Sequence, residues 1–232
     1  MKTVGLLGGM SWESTQIYYQ LLNEGIKQRL GGLHSAKVVL YSVDFAEIER
    51  LQHQGAWEET AAILSSAAQS VERGGADFLL ICTNTMHKVA DQVADSITIP
   101  LLHLADATAE HIKRQGLSRV GLLGTRFTME QAFYVGRLQQ HGLEVLVPDE
   151  PGRERVHRII YDELCLGEIN EVSRRAYREI IDSLVEQGAE GIILGCTEIG
   201  MLVKQSDSAV PLFDTTAIHV QAAIEAALSD MD

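Results

Sequence analysis

The feature that most constrains this chain is that it repeats itself. Val4-Gly5-Leu6-Leu7-Gly8 returns as Val120-Gly121-Leu122-Leu123-Gly124, 116 positions on. Gly75-Ala76-Asp77 followed by Phe78-Leu79-Leu80-Ile81 returns as Gly188-Ala189-Glu190 followed by Gly191-Ile192-Ile193-Leu194, 113 positions on. Pro100-Leu101-Leu102 returns as Pro211-Leu212-Phe213, 111 positions on. Three matches in one order, with a slowly shrinking offset, indicate two copies of one unit, the second with small deletions. The repeated segments are short and apolar, and amphipathic runs lie between them, so each copy reads as an α/β unit with a mainly parallel central sheet. The expectation is two similar α/β domains related by a pseudo-twofold. Residues 1–104 and 216–232 form one and 105–215 the other, with a ligand site in the cleft between them. No Pro-, Ser- or Gly-rich linker separates the copies, and the chain has only four prolines.

Strands are expected at Thr3–Leu7, Lys37–Val43, Asp77–Cys82 and Ile99–Leu102, then at Arg119–Leu123, Glu144–Val147, Gly191–Gly195 and Pro211–Phe213. Helices are expected from a Ser11 or Ser14 cap to about Leu30, then over Ala56–Arg73, Ala105–Gln115, Thr128–His141, Glu150–Leu166, Ile169–Gln187 and Thr216–Leu228. Asp44–Gln54 reads as a polar segment near the sheet edge. Ser229–Asp232 reads as a frayed terminus. Gly8-Gly9-Met10-Ser11 is a strand-to-helix turn without G-x-G-x-x-G or G-K-[ST], so it does not signal a dinucleotide or a P-loop. Its N–H groups are expected to reach a small anion such as a carboxylate.

Composition removes several function classes. Nineteen Lys and Arg against 32 Asp and Glu leave a net charge of −13, which disfavours nucleic acid. No apolar run reaches the length of a membrane span, and Met1-Lys2-Thr3-Val4-Gly5 has no signal-peptide layout. Cys82, Cys165 and Cys196 are odd in number, form no C-x-x-C pair and match no zinc spacing, so thiols in a cytoplasmic compartment and no metal are expected.

The chemistry gathers at the end of the Gly191–Gly195 strand, where Cys196, Thr197 and Glu198 follow. Ligands of α/β sheets bind outside the carboxyl ends of the strands. The repeat places Thr83 opposite Cys196 and Asn84 opposite Thr197, with Thr85 and Thr125 at other strand ends. G-x-S-x-G is absent, and no lysine stands in a Schiff-base context. What remains suits proton transfer at carbon. A thiol at a helix N-terminus is expected to lose its proton below the free value of roughly 8.5 and to act as a general base. Nearby N–H and hydroxyl donors would stabilise enolate-like charge. Cys82 is an alternative second acid/base, although strand alternation turns its side chain away from Thr83. Cys165 reads as structural. His87 reads as packed or capping, and His103 as structural. Glu198 either orients the thiol or favours a helix start. Tyr18, Tyr19 and Trp57 read as helix packing.

Through Gly5-Leu6-Leu7-Gly8-Gly9-Met10, Asn84-Thr85-Met86-His87 and Gly195-Cys196-Thr197-Glu198, essentially the whole chain resembles the aspartate/glutamate racemase family. Cys82-Thr83-Asn84-Thr85-Met86-His87 is similar to the enterobacterial broad-specificity amino-acid racemase subgroup. The resemblance implies a racemase that uses neither pyridoxal phosphate nor metal, two α/β domains with the site between them, and commonly a homodimer. It implies Cys196 and Thr83 as the catalytic pair, with Met10, Gln52, Asn84, Thr85, Thr125 and Thr197 at the amino-acid substrate. The family's first catalytic position is a cysteine, and here it is Thr83. A hydroxyl is nearly as weak an acid as water (about 15.7), so Thr83 is expected to relay a proton through water or to donate in one direction, giving an asymmetric racemase. Arg50 or Gln52 stands where the family's substrate-binding arginine would fall, and Cys165 where its lysine would. The substrate is accordingly Asp or Glu, or a broad range including neutral polar amino acids such as homoserine. Other Cα chemistry of the malonate decarboxylase or maleate isomerase type, and non-catalytic amino-acid binding, are the competing readings.

Overall fold

A computed structural model describes residues 1–229. The chain divides into two units, Met1–Leu104 with His219–Asp232, and Ala105–Ile218. Most of the terminus expected to fray lies outside the described residues. Ser229 is described, and its hydroxyl donates to the Ala226 carbonyl.

The first unit is built on β1 (Val4–Gly8), β2 (Val38–Ser42) and β3 (Phe78–Ile81), parallel and ordered β2-β1-β3. Its helices are α1 (Trp12–Leu30), α2 (Phe45–Gln54), α3 (Trp57–Arg73) and α4 (Ala90–Asp95), the last entered through a 3-10 turn, Thr85–Val89. Strand alternation sorts the core onto two faces. Leu7, Leu79 and Ile81 pack with Leu64, Ala67, Ala68 and Val71 of α3. Val4, Leu6, Phe78, Leu80 and Cys82 pack with Tyr18, Leu22 and Ile26 of α1 and with Val220, Ala223 and Ile224 near the C-terminus. Each such fully buried aliphatic side chain contributes roughly 1.5–3 kcal/mol relative to exposure.

The second unit is built on β4 (Arg119–Gly124), β5 (Glu144–Leu146), β6 (Gly191–Gly195) and β7 (Leu212–Asp214), parallel and ordered β5-β4-β6-β7. Around them run α5 (Leu104–Arg114), α6 (Arg126–Glu130), α7 (Ala132–Gln140), α8 (Glu150–Asp162), α9 (Glu171–Glu186) and α10 (Ile199–Leu202), and α11 (Thr215–Leu228) follows. The repeat read in sequence recurs as pairing register. Val4 stands opposite Phe78 in one sheet, and Val120 opposite Gly191 in the other. Leu79 faces Leu101 as Ile192 faces Leu212.

Five expectations are corrected. Ile99–Leu102 is a single bridge and not a strand: Leu79 N–H donates to Pro100 O, and Leu102 N–H to Leu79 O. Pro100 has no N–H with which to extend the ladder. Asp44–Gln54 is helical from Phe45, capped by Asp44 and burying Ile48, Leu51 and Gln52 at helical spacing. The helix expected over Thr128–His141 is two, because Gln131 is extended, at φ −97 and ψ 143. The helix expected over Glu150–Leu166 stops at Asp162, and a 3-10 turn, Leu164–Leu166, ends at Gly167 with φ 77. Thr216–Ile218 belong with the second unit and not the first. Thr215 Oγ1 donates to Leu194 O and Thr216 Oγ1 to Thr197 Oγ1, which ties this turn to the end of β6.

The Gly-Gly turn after β1 requires its glycines. Gly9 has φ +88, and a Cβ there would lie 2.3 Å from Val43 O and 2.6 Å from Val43 N. Ser11 caps α1 by accepting from Ser14 N–H. The Gly9 N–H donates to Thr15 Oγ1 at 2.8 Å, so this donor serves the fold and not the anion expected of it.

Candidate functional site

In each unit the candidate residues stand at the carboxyl ends of parallel strands. Met10 follows β1, and Thr83, Asn84 and Thr85 follow β3. Met10, Asn84 and Thr85 are buried, and Thr83 is half-buried. Two side chains pin the backbone here. Ser14 Oγ donates to Cys82 O at 3.0 Å, and His87 Nδ1 lies 2.8 Å from Thr83 O. Cys82 is fully enclosed among apolar side chains, and burial pushes its thiol far above the ordinary range. That environment disfavours the thiolate a proton acceptor needs. Gln52 lies on α2 and is buried. Arg50 is exposed and donates to Gln54 Oε1 at 3.2 Å.

In the second unit, Cys196 and Thr197 follow β6, and Thr125 follows the neighbouring β4. Thr125 caps α6, with its hydroxyl accepting from Thr128 N–H and lying 3.2 Å from Thr128 Oγ1. Thr197 Oγ1 accepts from Thr216 Oγ1 at 3.2 Å. Cys196 is half-buried, and its thiol donates to Glu198 Oε2 at 2.8 Å. Glu198 therefore contacts the thiol directly.

Burial pushes the Cys196 thiol well above its ordinary value, and the Glu198 carboxylate pushes it the same way, as does Cys165 once ionised. This reverses the expected depression. The helix that follows is only Ile199–Leu202, so no long run of aligned peptides offsets the desolvation. At rest near neutrality the sulfur holds its proton.

Two further residues bear on the thiol. Cys165, exposed on the turn Leu164–Leu166, disfavours the Cys196 thiolate when it is itself ionised. Tyr177 of α9 is fully buried and donates to Val156 O at 3.4 Å. Burial holds its phenol well above the ordinary value, reinforced by Cys196, Cys165, Glu163 and Glu198. Tyr177 occupies an apolar stripe with Ala176, Ile181 and Leu184, so its sequence context signals packing alone. Among the described residues no group of three or more His, Cys, Asp or Glu is placed to hold a metal ion. No helix is long and apolar enough to cross a membrane.

Residues 7–223 match the family described as Asp/Glu/Hydantoin racemase. The broad specificity amino-acid racemase RacX of Bacillus subtilis is 23% identical over 232 residues, covering 97% of this chain and 98% of its own. A Yersinia pestis crystal structure described as a candidate Asp/Glu racemase is 59% identical, with a TM-score of 0.94 over 98% of this chain and 100% of that one. An aspartate racemase homologue from Pyrococcus horikoshii is 37% identical, with a TM-score of 0.87 over 98% and 99% of the two chains. The chain therefore belongs to the Asp/Glu/Hydantoin racemase family, whose named relatives include amino-acid racemases, enzymes of the isomerase class.

Proposed function

We propose that this chain is a pyridoxal-phosphate-independent amino-acid racemase in which Cys196 and Thr83 serve opposite faces of one substrate Cα. The observation that carries the reading is the Cys196 thiol: half-buried at the carboxyl end of β6 and hydrogen-bonded to a carboxylate at 2.8 Å. Because its resting form is the thiol, Cys196 is poised first as an acid. In that direction water held by Thr83 takes the Cα proton from one face, and Cys196 delivers its own proton to the carbanion from the other and becomes the thiolate. In the opposite direction the thiol first gives its proton to water, and the resulting thiolate takes a proton from Cα and becomes the thiol again. The substrate ammonium, a cation, favours that thiolate. Thr83, directly or through water, handles the other face. Removing a positioned acid/base group costs typically about 10²–10⁴-fold in rate.

Substrate breadth follows from the cations that are lacking. The lysine position holds Cys165, Gln52 is neutral, and Arg50 is engaged with Gln54. We read the substrate as a neutral polar amino acid such as homoserine, or as a broad range that also includes Asp and Glu. A homodimer in the cytoplasm belongs to the same reading, and light scattering tests the dimer.

The test is incubation with a panel of L- and D-amino acids in D₂O. Deuterium at Cα, abolished by Cys196→Ser, supports the racemase. Thermal stabilisation by an amino acid without any exchange would instead mean a binder. Carbon dioxide release from a malonate would mean a decarboxylase.

A further inference from the structure

The first unit contains a buried ladder of histidines that ends on the backbone of Thr83. His87, His103 and His219 are all buried, with His87 and His103 ring centroids 4.5 Å apart and His87 and His219 6.0 Å apart. The tautomers follow from their partners. The Leu104 backbone N–H donates to His87 Nε2 at 3.3 Å, so that nitrogen carries no proton. His87 Nδ1 therefore bears the hydrogen and donates it to the Thr83 carbonyl at 2.8 Å. His219 is arranged likewise. Its Nε2 donates to Leu102 O at 2.8 Å, and its Nδ1 accepts from Tyr18 OH at 2.9 Å. The segment Leu102–Leu104 is thus gripped from both sides, by His219 at one residue and by His87 two residues later.

We propose that His87 is a positioning residue for proton transfer at Cα: its neutral ring bridges the Leu104 N–H to the Thr83 carbonyl and so holds the Thr83 hydroxyl in register. The inference rests on the reading of Thr83 as the second acid/base group. A proton on Nε2 would set two donors against each other at Leu104, so the bridge exists only in one tautomer of the neutral ring. His219 supports it by holding the same segment through Leu102. The alternative role is packing alone, as for most buried histidines.

The two halves of the bridge separate by substitution. His87→Asn keeps a donor near the Nδ1 position and the hold on Thr83. His87→Gln keeps an acceptor near the Nε2 position and loses that hold. The readout is the ratio of Cα deuterium exchange to inversion, using L- and D-homoserine or the enantiomer pair turned over fastest in the panel above. Exchange on one face needs Cys196 alone, whereas inversion needs both faces.

We expect His87→Gln to lower inversion about tenfold to a hundredfold, with exchange of one enantiomer nearly unchanged. Thr83→Val should do the same, and His87→Asn should stay near wild type. If Thr83→Val leaves the ratio unchanged, the Thr83 reading fails, and this inference with it. If Thr83→Val shifts the ratio and His87→Gln does not, only the positioning role fails. Absence of exchange in the wild type sinks both the racemase reading and this inference. Should the His87 variants not fold, ring-¹⁵N NMR of the histidine-labelled wild type decides. A protonated Nδ1 and a bare Nε2 at His87 support the bridge, and the opposite tautomer or an imidazolium at pH 7 overturns it.

Discussion

Replacing His219 by Gln should remove a specific acid sensitivity from the first unit. His219 is fully buried, and desolvation chiefly, with His87 nearby, lowers its pKa from 6.5 to about 3. Between those values the unfolded chain binds one proton more than the folded one. The contribution is therefore present above about pH 6.5 and is lost as pH falls toward 3. The full span is about 5 kcal/mol at roughly 1.36 kcal/mol per unit. By pH 5 about 2 kcal/mol of it is gone, and by pH 4 about 3 kcal/mol. Urea unfolding followed by tryptophan fluorescence suits this measurement, because Trp12 and Trp57 both lie in the first unit. Carboxylates such as Glu72, held low by Thr98, make wild type and variant alike acid-sensitive, so the difference between the two is what matters. That difference should shrink by about 2 kcal/mol from pH 7.5 to pH 5. Parallel curves over this range would refute the claim that His219 is buried neutral with both nitrogens engaged.

Peptide-resolved alkylation should find Cys196 nearly inert to iodoacetamide at pH 7, with labelling rising only well above pH 9 and Glu198→Gln moving that rise to lower pH, because the raising charge has gone. Cys82→Ala should keep Cα exchange and inversion at near wild-type rates, in contrast to Cys196→Ser; loss of activity in a folded Cys82→Ala protein would reinstate Cys82 as an acid/base group. Gly9→Ala should destabilise the first unit by at least about 2 kcal/mol, read as a lowered urea midpoint, since the new carbon meets Val43 backbone atoms.

Much of the architecture was legible in local pattern. A β-strand reports itself through a short apolar run, and a repeated run reports a repeated pairing, so the Val4, Phe78 and Leu101 segments and their second copies could be matched before any sheet was seen. Where local pattern fails, the inward residues are few or the periodicity runs on through a break in the backbone. Three inward residues, Ile48, Leu51 and Gln52, make α2 helical although its surface is polar. An extended Gln131 splits a helix whose periodicity continues through the break.

The chain order alone determined two α/β copies, the thiol at the end of β6 and the threonine at the matching place after β3, because strand ends and motifs are properties of neighbouring residues. Only the tertiary structure decided what those groups are chemically. Whether Cys196 gives or takes a proton depends chiefly on desolvation and on the Glu198 carboxylate beside it. Which tautomer His87 adopts depends on an N–H seventeen residues away. Proton affinity is set by the medium around a group, and that medium is assembled from parts of the chain that no short window of sequence contains.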